Sequence, residues 1–446
     1  MLKVLANRTY RHLFLAQVIA LVGTGLATVA IGLLAYQIAG KNAGAVLGTA
    51  LAIKMVAYVV VSPIAGAFAE ILPRRKMLVL LDLLRAAVAC ALPFVSEAWQ
   101  IYVLIFLLQS ASAAFTPTFQ ATIPEILPDE AQYTRALSLS RLAYDLENLL
   151  SPVLAALLLT IVSFHVLFAG TIIGFLVSAL LVVSVTLPKP APKARRSFFE
   201  RTTRGIRSYF ATPRLRALFA ISLAVSAAGS MVIVNTVVFV QARFGLGQQE
   251  VAWAMAAFGG GSVIAALLLP RILDRVPDRP VMLVGAAFLP LGLVGTALLS
   301  GYGALVSLWL VTGLTYAVAQ TPSGRLLRRS SNADNRPALF AAHFAISHSC
   351  WLLTYPLAGW VGASFGLPVA AIVLAIIAAV GVVAAFLIWP SADAGVLLHS
   401  HVGLADDDPH WAEAADAGSG RHRHDFVIDA LHTRWPEEPS EAEREP

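Results

Sequence analysis

The sequence predicts an all-α integral membrane protein, with 12 transmembrane helices arranged as two six-helix bundles related by an internal repeat. Three observations carry this expectation. Of 446 residues, 58% are hydrophobic and only 13% charged, about half the roughly 25% charge of an ordinary soluble domain. The apolar residues gather in runs of about 20 or more, the length that crosses a bilayer. Landmark residues recur at one constant offset between the halves. This arithmetic excludes disorder, a coiled coil, a disulfide scaffold and a soluble α/β enzyme. Cys90 and Cys350 both lie inside apolar runs and report no redox compartment.

The runs fall at about 12–38, 44–69, 77–95, 99–119, 137–161, 164–187, 217–240, 250–269, 281–300, 303–322, 339–362 and 367–389. The first has a basic flank, is too long for a signal-peptide core and lacks a cleavage site, so it is read as a retained span. The chain thus divides into a bundle over 1–187, a basic linker over 188–216, a bundle over 217–390 and a tail over 391–446.

The net charge of +6 hides a tail with four Arg against thirteen acids. Of the 32 Lys and Arg, 28 fall on the side of the termini and linker, against Lys41 and Arg243 opposite. That asymmetry places both termini in the cytoplasm of a multi-pass protein of the cell inner (plasma) membrane. It also explains the basic balance without a nucleic-acid partner. Arg201, Arg204 and Arg207, three apart in the linker, suggest a short basic helix lying on anionic lipid; an unstructured connector is the alternative.

The repeat is read from paired positions. Glu70, Pro73 and Arg75 recur as Asp274, Pro277 and Arg279, each 204 residues on. Ser151-Pro152 and Tyr355-Pro356 share the same offset, and Thr116-Pro117 meets Thr321-Pro322 at 205. Independent positions at one offset argue for parallel, duplicated halves.

Ionisable groups at mid-bilayer cost at least about 2.5–3.5 kcal/mol and are functional candidates by default. Lys54 sits ten residues into the second run; Asp145 and Glu147 lie eight and ten residues into the fifth. Glu147 shares a stripe with Tyr144 and Ser151, and is the candidate proton or cation site. Asp145 shares a stripe with Arg141 and Asn148, which permits an intrahelical ion pair. His348 in the eleventh run can titrate near neutrality. His343 stands about 140° round the helix from it, a poor arrangement for a chelate.

Two six-helix halves with an acidic and basic loop after the second helix of each resemble the major facilitator superfamily. The loop has Gly66, Glu70, Pro73, Arg74 and Arg75 in the first copy, with Asp274, Arg275, Pro277 and Arg279 in the second. The family has Asp where Glu70 stands, Arg where Ile71 stands and Gly at the prolines. The resemblance implies a latch on the cytoplasmic side, with Gly66, Glu70, Arg74, Arg75, Asp82, Arg85, Asp274 and Arg275 as its parts. It implies contact between helices two and eleven, bringing Lys54 and His348 to similar depth. It further implies a cavity lined by Gln17, Gln109, Asn235 and Gln320. The stretch Ser151-Pro152-Val153-Leu154-Ala155-Ala156 stands where the family's drug exporters often carry Gly-Pro-x-x-Gly-Gly.

Six of the ten histidines fall in the tail, at His399, His401, His410, His422, His424 and His432, with Asp406 to Asp408 among them. Imidazole with carboxylate suits a divalent transition metal. Residues 425–435 are expected to form a short docking helix capped by Asp425, using Phe426, Val427, Ile428, Leu431 and Trp435, and the rest of the tail to lack structure. A His-bearing tail behind such a core resembles the superfamily's nickel-resistance exporters, and the core its siderophore and drug exporters.

The function expected is proton-coupled export of a small solute by a monomer. The solute is a divalent metal such as nickel or, alternatively, an amphipathic organic compound. A non-transporting metal sensor is the weaker rival. No ATP-binding loop, His-Glu-x-x-His or Gly-x-Ser-x-Gly occurs, so the chain is not read as an enzyme and no cofactor is expected.

Overall fold

The computed structural model describes residues 2–69, 73–129, 132–133, 136, 139–140, 143, 151, 154–155, 157–187, 198–332, 335–391, 396–400, 421–428, 431–432 and 434–436. Eleven of the expected spans are helices among these residues: Arg8–Ala39, Ala43–Ala69, Arg74–Ala91, Ala98–Ile126, Phe164–Val183, Pro213–Val237, Gln248–Leu273, Asp278–Ala297, Tyr302–Gln320, Arg336–Pro356 and Leu367–Ile388. Most of the fifth span lies outside the described residues, and with it Arg141, Asp145 and Glu147; Glu70 lies outside them too.

Local chemistry sets the helix ends. Asn7 caps the first span, its side chain accepting from the Tyr10 amide at 3.1 Å. Before the fourth span, Gln100 Oε1 accepts from the Ser96 and Glu97 amides at 2.9 and 3.0 Å. Gly366, at φ +92°, makes the tight turn between the eleventh and twelfth spans. Inside the spans, hydroxyls bond to carbonyls four residues back, as Thr24 to Ala20 and Ser222 to Leu218. These hydroxyls are thereby satisfied without water.

The halves pack alike. The first span lies on the sixth as the seventh lies on the twelfth, and the second on the fourth as the eighth on the tenth. The third meets the fourth and sixth as the ninth meets the tenth and twelfth. Small residues set the closest approaches. Thr171 Oγ1 reaches the Gly23 carbonyl at 2.7 Å in the first half. Ser262 Oγ reaches that of Gly313 at 2.9 Å in the second.

The linker forms a helix, Phe198–Ala211, whose Gly205 and Tyr209 pack on the start of the eleventh span. It is therefore seated on the protein by one face. The tail departs from expectation. A hairpin pairs β1 (Val396–Ser400) with β2 (Arg421–Asp425), placing His399 opposite His422. The expected helix from Asp425 is not formed, because Asp425 ends β2. Beyond it, the Phe426 and Ile428 carbonyls accept from Arg214 and Asn335 instead of from helix amides. Of the expected docking residues, Phe426 and Ile428 are buried and Trp435 packs on Phe426, whereas Val427 is half-buried and Leu431 is exposed.

Candidate transport pathway between the halves

The face bearing the chain start, linker and tail is here the terminal face, and its opposite the distal face. The halves meet closely near the distal face. Thr28, Val29 and Gly32 of the first span face Ile233, Thr236 and Val237 of the seventh across a small cavity. Leu159, at the distal end of the fifth span, packs on Ala252 and Ala256 of the eighth. The second and eleventh spans touch through backbone. A Cβ on Gly48 would stand 2.6 Å from the Tyr355 carbonyl oxygen, and one on Gly359 would strike that of Gly44. Trp360 Nε1 donates to Thr49 Oγ1 at 2.9 Å. A π-helical turn, Leu357–Val361, widens the eleventh span here, and Asn235 Nδ2 donates to its Ala358 carbonyl at 2.9 Å.

At mid-depth the two halves supply different chemistry. Lys54 is eleven residues into its helix, about 16 Å along at 1.5 Å per residue. Its Nζ lies 5.8 Å from the centre of the Tyr58 ring. Tyr58 in turn lies 5.6 Å from His348 and 5.9 Å from Phe344, both on the eleventh span. His348 Nδ1 is 2.6 Å from the Phe344 carbonyl oxygen. Since a carbonyl only accepts, Nδ1 carries the proton. Tyr58 thus bridges Lys54 and His348, which the sequence placed at similar depth; its i+4 spacing from Lys54 was the signal that could have found it.

The repeat sets Phe258 at the place matching Lys54. There the second half is aromatic. Phe258 and Tyr316 meet edge to face at 5.3 Å, and the Trp351 ring fits against Gly229, where a Cβ would strike it. These aromatics lacked a sequence signal beyond ordinary apolar periodicity.

The charged residues of the terminal face pair inside their own halves. Arg74 pairs with Glu125, and Arg75 donates to the Val183 carbonyl. Asp82 and Arg85, both buried, pair with each other; Ser178 Oγ donates to Asp82 at 2.7 Å. The Arg85 guanidinium lies 4.3 and 4.5 Å from the Phe115 and Phe175 rings. In the second half the acid against the arginines is Asp278, 3.2 Å from Arg325 Nε and 3.8 Å from Arg329 Nη1. Asp274 and Arg275 sit in the exposed turn before it. Asp278 opens the ninth span, where the helix N-terminus favours a carboxylate. Gly66 lies in the second helix, one turn before its described end.

Of the residues expected to line a cavity, Gln17 and Gln109 are buried, and the Oε1 of each has no hydrogen-bond partner among the described residues. Asn235 is buried as a tie between the seventh and eleventh spans. Gln320 is half-buried at the end of the tenth. His343 is engaged by the linker: burial pushes the Tyr209 phenol up, so its hydroxyl stays protonated and meets Nδ1 at 3.1 Å.

In the tail, His422 and His424 lie in β2 and His399 in β1, while His401 and His410 lie outside the described residues. His432 is buried edge-on against Phe426, 4.6 Å between ring centres. Among the described residues, no group of three or more His, Cys, Asp or Glu is arranged to hold a metal ion.

Two similarly packed helical halves meeting at a polar mid-depth interface define a multi-pass membrane transporter built from a duplicated bundle. The family description "Major Facilitator Superfamily" matches residues 13–248 and 218–401, and the chain belongs to that family of transporters. It is 24% identical over 324 residues to the MFS-type transporter YfiS of Bacillus subtilis, covering 69% of this chain and 76% of that one. It is 25% identical over 178 residues to macrolide efflux protein A of Streptococcus pyogenes, and 26% over 153 residues to that of Enterococcus faecalis. These two matches cover 39% and 32% of this chain, and span 43% and 47%, less than half, of the macrolide efflux proteins. In fold, the chain is similar to the nucleoside transporter NupG (TM-score 0.67, 16% identity, 85% of this chain and 98% of that one). It is likewise similar to a bacterial homologue of the human lysosomal transporter Spinster in an inward-facing state (0.66, 12%, 85% and 96%).

Proposed function

We propose that this transporter exports an amphipathic organic compound in exchange for protons, as a monomer in the plasma membrane with its terminal face in the cytoplasm. One observation carries the reading: at one depth, Lys54, Tyr58 and His348 form a polar, titratable side, while Phe258, Tyr316 and Trp351 supply an aromatic one. A solute with a polar end and a flat apolar body matches both sides. The partial likeness to macrolide efflux proteins supports an organic substrate over a metal in the core. The 28-to-2 distribution of Lys and Arg supports the sidedness.

With the distal face sealed by Gly44, Gly48 and Gly359, the arrangement is a state that admits solute from the cytoplasm. Proton transfer at Lys54 and His348, with Glu147 and Asp145 of the fifth span as further sites, changes the charge between the halves. The changed charge at this mid-depth interface drives the change of state. In the alternate, outward-open state the Arg74, Arg75, Asp82, Arg85 and Asp274–Arg275 segments latch the cytoplasmic side.

The test is uptake of a lipophilic dye and of a macrolide into everted vesicles with and without an imposed pH gradient. Gradient-dependent accumulation, abolished by Lys54→Met and His348→Ala and retained by Lys54→Arg, is the expected result. Uptake indifferent to the gradient in the unaltered protein overturns proton coupling.

A second reading concerns the tail alone. The register that sets His399 opposite His422, with His424 two residues on, favours uptake of a divalent transition metal at the hairpin. Calorimetric titration of the full chain with Ni²⁺ and Zn²⁺ tests it. Unchanged binding in His399→Ala/His422→Ala overturns it.

A further inference from the structure

Arg214, at the start of the seventh span, is only 1% exposed. Its Nε donates to Ser330 Oγ at 2.7 Å and its Nη2 to the Arg329 carbonyl at 3.2 Å. The tail then adds two contacts. Nη2 also reaches the Phe426 carbonyl at 3.5 Å, and the guanidinium lies 5.0 Å from the Trp435 ring. Asn335, in the loop before the eleventh span, donates Nδ2 to the Ile428 carbonyl at 2.8 Å. Phe426, Ile428 and His432 are 3%, 4% and 6% exposed, and Trp435 closes over Phe426 at 5.2 Å. A segment near a chain end is ordered only where it is tied down in this way.

The surface beneath is built to receive a peptide. Arg214 and Asn335 offer donors to backbone carbonyls, and their neighbours Arg325, Arg328 and Arg329 make the surface basic. The tail as a whole is acidic, with thirteen Asp and Glu against four Arg. The docked stretch, however, balances Asp429 against Arg434 and is held by its apolar anchors and backbone carbonyls. The dock is also continuous with the charged cluster of this half. Arg329, whose carbonyl holds Arg214, turns its guanidinium to Asp278 at 3.8 Å. Arg325 ties Asp278 to the Leu273 carbonyl, 3.2 and 3.1 Å away respectively.

We infer that the cytoplasmic base of the second half is a peptide-docking site whose occupant is the chain's own residues 426–428, 431–432 and 434–436, and that occupancy braces the Asp278–Arg325–Arg329 cluster. Phe426 and Trp435 are the anchors, Arg214 and Asn335 the clamps. The segment holds together the base of the seventh span and the stretch 323–335 that leads into the eleventh. Releasing it loosens that stretch.

Two readouts on the full chain in lipid nanodiscs test this without measuring transport. In a Cys90→Ser, Cys350→Ala background, Ile428→Cys is labelled by a polar maleimide at least about tenfold more slowly than Asp274→Cys in the exposed turn, the ratio expected when opening must precede reaction. Adding Phe426→Ala and Trp435→Ala, which leave the membrane helices untouched, brings the two rates together. Equal rates with the anchors intact overturn the docking. Hydrogen exchange then reads the bracing. In Phe426→Ala/Trp435→Ala, amides of 323–335 exchange at least about fivefold faster, while those of 119–131, the matching stretch of the first half, are unchanged. Unchanged exchange at 323–335 overturns the bracing.

Discussion

Asp278 stands 204 positions after Arg74 and takes its place with the opposite charge. Arg74 pairs with Glu125, and Asp278 pairs with Arg329, itself 204 positions after Glu125. The duplicated halves have kept one ion pair at one site and exchanged its ends. A pair maintained through reversal is a pair that the site requires.

This relationship yields a charge-exchange prediction. Asp278→Arg leaves three guanidinium groups together and destabilises the protein. The double variant Asp278→Arg/Arg329→Glu, which restores the polarity of the first half, recovers most of the loss. Thermal unfolding in detergent checks it, with a coupling energy of about 0.5–3 kcal/mol expected for residues in one network. Asp274→Asn, in the exposed turn, shifts stability by no more than about 0.5 kcal/mol.

The repeat also bears on Asp82 and Arg85. Their counterparts 204 positions on are Ala286 and Leu289, both fully buried. The second half therefore fills this site with apolar packing. Asp82→Ala alone strands a buried guanidinium between Phe115 and Phe175 and costs about 3–5 kcal/mol. Asp82→Ala/Arg85→Leu, copying the other half, costs clearly less. Chemical or thermal unfolding of the three proteins would decide; equal loss in single and double variants counts against the idea.

The distal seal depends on absent side chains. Gly48→Val pushes a branched side chain into the Tyr355 carbonyl, where overpacking costs about 1–3 kcal/mol. The expected outcome is a population shift toward a distally open state. Spin-label distances between the distal ends of the second and eleventh spans should lengthen relative to the parent.

Tyr58 is predicted to position rather than to titrate. Tyr58→Phe keeps the ring against Lys54 and His348 and keeps gradient-driven uptake. Tyr58→Ala loses both contacts and reduces it at least about tenfold. Parallel decline of both variants would mean that the hydroxyl, not the ring, is the operative group.

The sequence by itself determined the class of fold. Hydrophobic run lengths depend on bilayer thickness, and a single helix satisfies its own backbone there, so the helical spans and the duplication were legible without any contact information. Lys54 and His348 stood out for the same reason, since an ionisable residue is conspicuous in an apolar run. Pairing across the fold was not. Choosing Asp278 over Asp274 required knowing which carboxylate opens a helix beside Arg325 and Arg329. Seating the tail as an extended segment required the Arg214 and Asn335 donors, which lie 212 and 93 residues away in the chain. One-dimensional patterns report solvent and periodicity. Which donors, rings and charges complete one another is set only when distant segments pack.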